Sequence, residues 1–106
     1  MRIEFDEIAS SNGNTIELYF SAPKEILGEY FPNKSYSSAV SAEILIEIDG
    51  DDVINTYLSP SRLLDGSLEE YDWQEVYFNK KLVNRLVTLA KSDDAMYGLE
   101  NVSIDV

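Results

Sequence analysis

The sequence predicts an α+β fold: a mainly antiparallel sheet of two hairpins plus a C-terminal strand, packed on one main helix at about residues 80–91. Two patterns carry that expectation. Apolar and polar residues alternate over several stretches with the period of a half-buried strand, and two of the intervals hold Asn-Gly or Asp-Gly, pairs that accept positive φ in a tight hairpin turn. Toward the C-terminus the apolar spacing changes to that of one helix face. With 106 residues, 44% of them apolar and 11% aromatic, the chain suits one domain over 1–106 with a single core.

The first hairpin comes from two alternating runs. In residues 2–8, Arg2, Glu4 and Asp6 alternate with Ile3 and Phe5; in residues 14–21, Ile16, Leu18 and Phe20 alternate with Thr15, Glu17 and Tyr19. Asn12-Gly13 lies between them. Pro23, Gly28 and Pro32 then limit residues 21–38 to a loop holding a short helix over Lys24 to Tyr30. Ser41 opens the clearest strand, with Ala42, Ile44, Ile46 and Ile48 on one side and Glu43, Leu45, Glu47 and Asp49 on the other. Asp49-Gly50 turns the chain into a partner strand from Val53 to Ser59, where Ile54, Thr56 and Leu58 oppose Val53, Asn55 and Tyr57.

Beyond Pro60 the pattern is mixed. Ser67 with Glu70 has the form of a capping box, so a helical turn is expected to start near Ser67, although Gly66 interrupts any longer helix. Residues 80–91 set Leu82, Val83, Leu86, Val87 and Ala90 on one face and Lys81, Arg85 and Thr88 on the other, with Asn79 as the cap. Asn101 to Val106 alternates again, placing Val102, Ile104 and Val106 inward as a terminal strand.

Charge is the most informative property. The formal net charge is −12, and residues 1–79 carry all of it, with sixteen acids against four bases; residues 80–106 are balanced, four against four. With the strands' apolar faces on the helix, Glu4, Asp6, Glu17, Glu43, Glu47 and Asp49 gather on the opposite face, together with Tyr19 and Leu45. Like charges facing each other across neighbouring strands destabilise a sheet by up to about 1 kcal/mol per pair, so stability alone would interleave lysine. A solvated sheet face is polar in any protein, and acids there also serve solubility. Residues 43–75, however, hold ten acids and one base and interleave them with Tyr57, Tyr71 and Trp73. Aromatic anchors ringed by charge are the composition of a protein interface. The expected partner-binding residues are Glu17, Tyr19, Glu43, Glu47, Asp49, Asp51, Asp52, Tyr57, Glu69, Glu70, Tyr71, Asp72 and Trp73. For Tyr71 and Trp73 a second reading stands beside this one: core residues of a helix whose polar side is acidic.

Other classes of function are disfavoured by composition. There is no Cys and no His, which removes disulfides, imidazole ligands and every Ser-His or Cys-His nucleophile pair. Asp49-Gly50-Asp51-Asp52 does not open an EF-hand, because Ile54 and Pro60 stand where that loop needs Gly and Glu; a hairpin turn with Asp side chains bonded to backbone amides explains it. The five glycines stand singly, so no phosphate-binding loop is present, and carboxylate pairs lack the deep cleft a glycosidase needs. The expectation is a non-enzymatic protein with no cofactor and no metal. Phosphates and anionic headgroups would be repelled, so nucleic acid and membrane are not expected as partners. The start Met1-Arg2-Ile3-Glu4-Phe5-Asp6 lacks the basic and apolar regions of a secretory signal, and the longest aliphatic run is Ile44-Leu45-Ile46, so a cytoplasmic location is expected.

In size, acidity and composition the whole chain resembles bacterial toxin-immunity proteins, including those of contact-dependent growth inhibition systems. The resemblance involves no alignable motif, and immunity proteins differ widely in fold, so it assigns no residue a role. It implies an antitoxin that binds and neutralises one cognate basic toxin domain, a nuclease by the charge argument. Two other classes fit the same composition: a DNA mimic that blocks a host DNA-binding protein, and an adaptor subunit that docks through an apolar patch. Competition with duplex DNA would mark the first and salt-insensitive binding the second.

Overall fold

A computed structural model of the protein describes residues 1–10, 13–32, 41–60, 73–92, 95 and 102–106. Among the described residues the fold is α+β, a six-stranded antiparallel sheet with two complete helices, one of them dominant. In chain order the elements are β1 (Arg2–Ser10), β2 (Thr15–Pro23), α1 (Glu25–Tyr30), β3 (Ser41–Asp49), β4 (Asp52–Pro60), β5 (Gln74–Glu75), α2 (Lys80–Ala90) and β6 (Ser103–Asp105). The strands lie in the order β5-β4-β3-β2-β1-β6, and the sheet stays open.

Both expected hairpins form around glycines in the left-handed region, Gly13 at φ 71° and Gly50 at φ 62°. A Cβ at either would meet no neighbouring atom, so the preference for Gly is one of backbone conformation alone. β2 and β3 pair over their full length, from Thr15 opposite Asp49 to Pro23 opposite Ser41. This central register places Leu18 against Ile46 and Phe20 against Ile44, all fully or almost fully buried. Ile3, Leu58 and Leu86 complete the centre of the core, and Phe5 meets Phe20 edge-on with ring centroids 5.6 Å apart.

The helices cover one face only. α1 buries Ile26 and Leu27, and its last residue, Tyr30, packs edge-on against Phe78 at 4.9 Å. α2 buries Val83, Leu86 and Ala90, and the Asn79 side chain accepts from the Lys81 backbone N–H at 2.8 Å, the cap read from sequence. Its exposed side carries Lys80, Lys81, Arg85 and Lys91 with no acid among them. The exposed side of α2 is therefore basic, whereas α1 exposes Glu25 and Glu29.

Three local features depart from simple alternation. β1 bulges between Phe5 and Glu7, so that Phe5 faces Phe20 while Glu7 faces Tyr19. β4 bulges as well: Asn55 faces Glu47 but Val53 faces Ile48, leaving Ile54 as the extra residue and ending the predicted alternation there. The two-residue β5 has no periodic signature of its own, and its pairing to Tyr57 and Leu58 follows from Val76 and Phe78 being drawn into the core immediately after it. The terminal strand is shorter than expected, Ser103–Asp105, and it pairs with β1; Val106 is exposed. The helical turn expected near Ser67 lies outside the described residues.

Candidate functional site

Residues directly opposite on neighbouring strands share a face, so the register itself maps the side of the sheet away from the helices. Four rows cross it. The first runs Glu4, Ser21, Glu43, Ser59; the second Glu7, Tyr19, Leu45, Tyr57, Glu75; the third Ala9, Glu17, Glu47, Asn55; the fourth Thr15, Asp49, Asp52. Trp73 stands two residues before Glu75, on the same side of the chain, and its ring meets that of Tyr19 edge-on at 6.2 Å. With strands about 4.8 Å apart, the indole reaches across β4 and β3 to make that contact.

The result is a small apolar centre on an otherwise polar face. Leu45 is only 8% exposed and Ser59 0%, although both stand in rows that face away from the helix layer; Leu45 lies between Tyr19 and Tyr57 in the second row. Glu7, Glu17, Glu43, Glu47 and Glu75 surround this centre. Among the described residues, the ion pair of Arg2 with Glu4 at 3.6 Å is the only one on this face.

Hydrogen bonds relieve part of the crowding. Glu17 and Glu47 are directly opposite, a repulsive arrangement, and each accepts from a tyrosine hydroxyl: Tyr19 donates to Glu17 and Tyr57 to Glu47. Donation to Glu17 and partial burial push the Tyr19 phenol up to about 12. Tyr57 is raised too, first by burial and then by its bond to Glu47. Ser21 Oγ donates to Asp6 at 2.7 Å, while burial raises the Asp6 carboxyl. Glu43 is the group under most stress. Half-buried and near Asp6 and Glu7, its carboxyl is pushed from 4.5 up to about 7, by burial first and by the neighbouring acids second.

Eight of the expected partner-binding residues share this face: Glu17, Tyr19, Glu43, Glu47, Asp49, Asp52, Tyr57 and Trp73. Trp73 is neither helical nor a core residue, which replaces the second reading offered for it. Asp52 closes the fourth row opposite Asp49, but Asp51 turns toward the other layer and pairs with Lys91 at 3.1 Å. Glu69, Glu70, Tyr71 and Asp72 lie outside the described residues. Sequence reasoning missed Glu7 and Glu75. The adjacent polar pair Asp6-Glu7, which breaks the alternation of β1, was the available signal for the first; the second depends on a strand too short to read.

Among the described residues no group of carboxylates has the arrangement of a metal site, and no helix is long and apolar enough to cross a membrane. Among the described residues, Ser21 beside Asp6 and Tyr19 beside Glu17 are hydroxyl–carboxylate pairs joined by hydrogen bonds. The sheet face presents an aromatic centre with an acidic surround. No family model, curated protein or solved structure matches the chain.

Proposed function

We propose that this protein is a cytoplasmic immunity protein that binds a basic toxin domain, a nuclease by preference, through the outer face of its sheet. The observation that carries the reading is the second row with Trp73 over it: Tyr19, Leu45 and Tyr57 form an apolar centre, with Glu7 and Glu75 at its ends and Glu17, Glu43 and Glu47 beside it. Large aromatics supply affinity where water is excluded, and surrounding charges set association rate and partner choice. A nuclease must concentrate Lys and Arg where phosphates bind, and this face offers carboxylates in their place. Complementary charge raises association to about 10⁸–10⁹ M⁻¹s⁻¹ at low salt, a useful property for an inhibitor that must reach its target before damage is done.

The position of Glu43 supports binding over solubility. A carboxyl raised to about 7 contributes only about half its charge to a solvated surface at neutral pH, and it becomes fully charged when a partner's ammonium or guanidinium settles beside it. The test is a pull-down from the source cells at low salt, followed by a salt gradient and mass spectrometry, with the Glu43→Lys/Glu47→Lys/Asp49→Lys variant run in parallel. One stoichiometric basic protein held by the parent chain and lost by the variant is expected. A spread of unrelated basic proteins, all released at modest salt, would reduce the face to a solvated surface and end the proposal.

A further inference from the structure

A second feature lies at the β4 edge of the sheet. Among the described residues the pairing of β4 with β5 covers Tyr57 and Leu58 and ends with the Val76 N–H bonded to the Thr56 carbonyl at 3.1 Å. Asp52–Asn55 has no described strand beside it on that side. Between this edge and the first turns of α2 runs a groove of about 440 Å³ whose apolar lining includes Val53, Ile54, Tyr77, Phe78 and Val83. Val53 is 40% exposed, Ile54 48% and Tyr77 86%. The bulge leaves Ile54 unpaired and re-aims it, and Ile54 lines the groove.

Natural edge strands are commonly guarded by Lys, Pro or a bulge; Asp52-Val53-Ile54-Asn55 contains neither Lys nor Pro and carries only Asp52 and the bulge at Ile54. The charges at the groove choose between occupants. Asp52 and Glu75 border it against Lys80, while Asp51 is already paired with Lys91. A second copy laid edge to edge would bring the same acids together on two molecules of formal charge −12 each, so self-pairing is opposed and a cationic segment favoured. The open stretch of β4 spans about 13 Å, enough for one short extended segment.

We propose that this groove takes an extended segment of a protein partner, in which apolar residues alternate with Lys or Arg, added as a strand along Asp52–Asn55. Backbone bonds to the edge supply affinity, Val53, Ile54 and Tyr77 receive the apolar side chains, and Asp52 and Glu75 meet the basic ones. Asp52 and Glu75 belong to both the groove and the outer face, whereas Val53, Ile54 and Tyr77 take no part in the outer-face reading, so these three residues separate the two proposals.

The test titrates the intact chain with a capped synthetic peptide of alternating valine and lysine while backbone amides are followed by NMR. The same peptide N-methylated throughout keeps the side chains and charge but has no donors. Saturating shifts at Val53, Ile54, Asn55 and Tyr77 are expected, with loss of binding for the N-methylated peptide. In Ile54→Ser, which alters a half-exposed side chain and leaves the fold standing, about tenfold weaker binding is expected. Equal binding of the two peptides, shifts centred on Glu43 and Glu47, or unchanged affinity in Ile54→Ser would each overturn the proposal. So would sedimentation showing a dimer of the free chain with these edge amides protected, since the occupant would then be a second copy.

Discussion

Replacing Glu43 with glutamine should stabilise the protein, and only at neutral and higher pH. In the folded chain the Glu43 carboxyl is pushed from 4.5 up to about 7. Each factor of ten in proton affinity is worth about 1.4 kcal/mol, so the full displacement corresponds to about 3 kcal/mol. Glu43 is only half-buried, and screening by solvent brings the expected effect down to about 1–2 kcal/mol. The sign follows from which state holds the proton. Below pH 4.5 both folded and unfolded chains keep it, and the carboxyl is harmless. Between 4.5 and about 7 the unfolded chain releases the proton first, so stability falls as pH rises, and above about 7 the loss is complete. Glu43→Gln removes this one contribution while leaving the other acids in place. Urea unfolding at pH 8, followed by the fluorescence of Trp73, the one tryptophan of the chain, should show a midpoint higher by about 0.5–1 M than the parent. At pH 4 the two midpoints should coincide. A glutamine variant that is no more stable at pH 8, or equally favoured at both pH values, would refute the account of Glu43 as a carboxylate held against its preference.

Three other outcomes are expected. Trp73→Ala removes the edge-on contact with Tyr19, an aromatic pair worth about 0.5–1.5 kcal/mol beyond its buried area; thermal unfolding of the two proteins measures the loss. Asn79→Ala deletes the acceptor of the Lys81 N–H and should destabilise the fold by about 1 kcal/mol, with hydrogen exchange in the first turn of α2 accelerating most. The Glu43→Lys/Glu47→Lys/Asp49→Lys variant should associate with the captured partner about tenfold or more slowly at low salt, a difference that shrinks as salt is added; stopped-flow mixing across ionic strength reads it.

The hairpins and the main helix were legible because each is specified locally. Asn12-Gly13 and Asp49-Gly50 demand turns, the Ile44-Ile46-Ile48 alternation admits one burial face, and Asn79 before an apolar stripe marks a helix start. The collection of acids on one sheet face followed from the same alternation. What could not be read is set by tertiary pairing. The bulge that places Glu7 opposite Tyr19, the short β5 that places Trp73 over β4 and β3, and the burial of Leu45 and Ser59 on the outer face all depend on which strands become neighbours. The stress on Glu43 likewise comes first from its burial and then from Asp6 and Glu7 on a strand two places away, and no local pattern around Glu43 encodes it. The pairing of Lys91 with Asp51, 40 residues away, illustrates the same limit: both charges were visible, but their meeting is a property of the fold.

The most direct measurement of the outer face as a binding surface is hydroxyl-radical footprinting of the protein alone and in complex with the partner it captures. Trp73 and Tyr57 report on the centre of the face. The account predicts that oxidation of both falls sharply in the complex and recovers as salt dissociates it. Oxidation of Trp73 and Tyr57 at the same rate in the free and bound protein would contradict it, because a partner that leaves the aromatic centre open to solvent does not bind through this face.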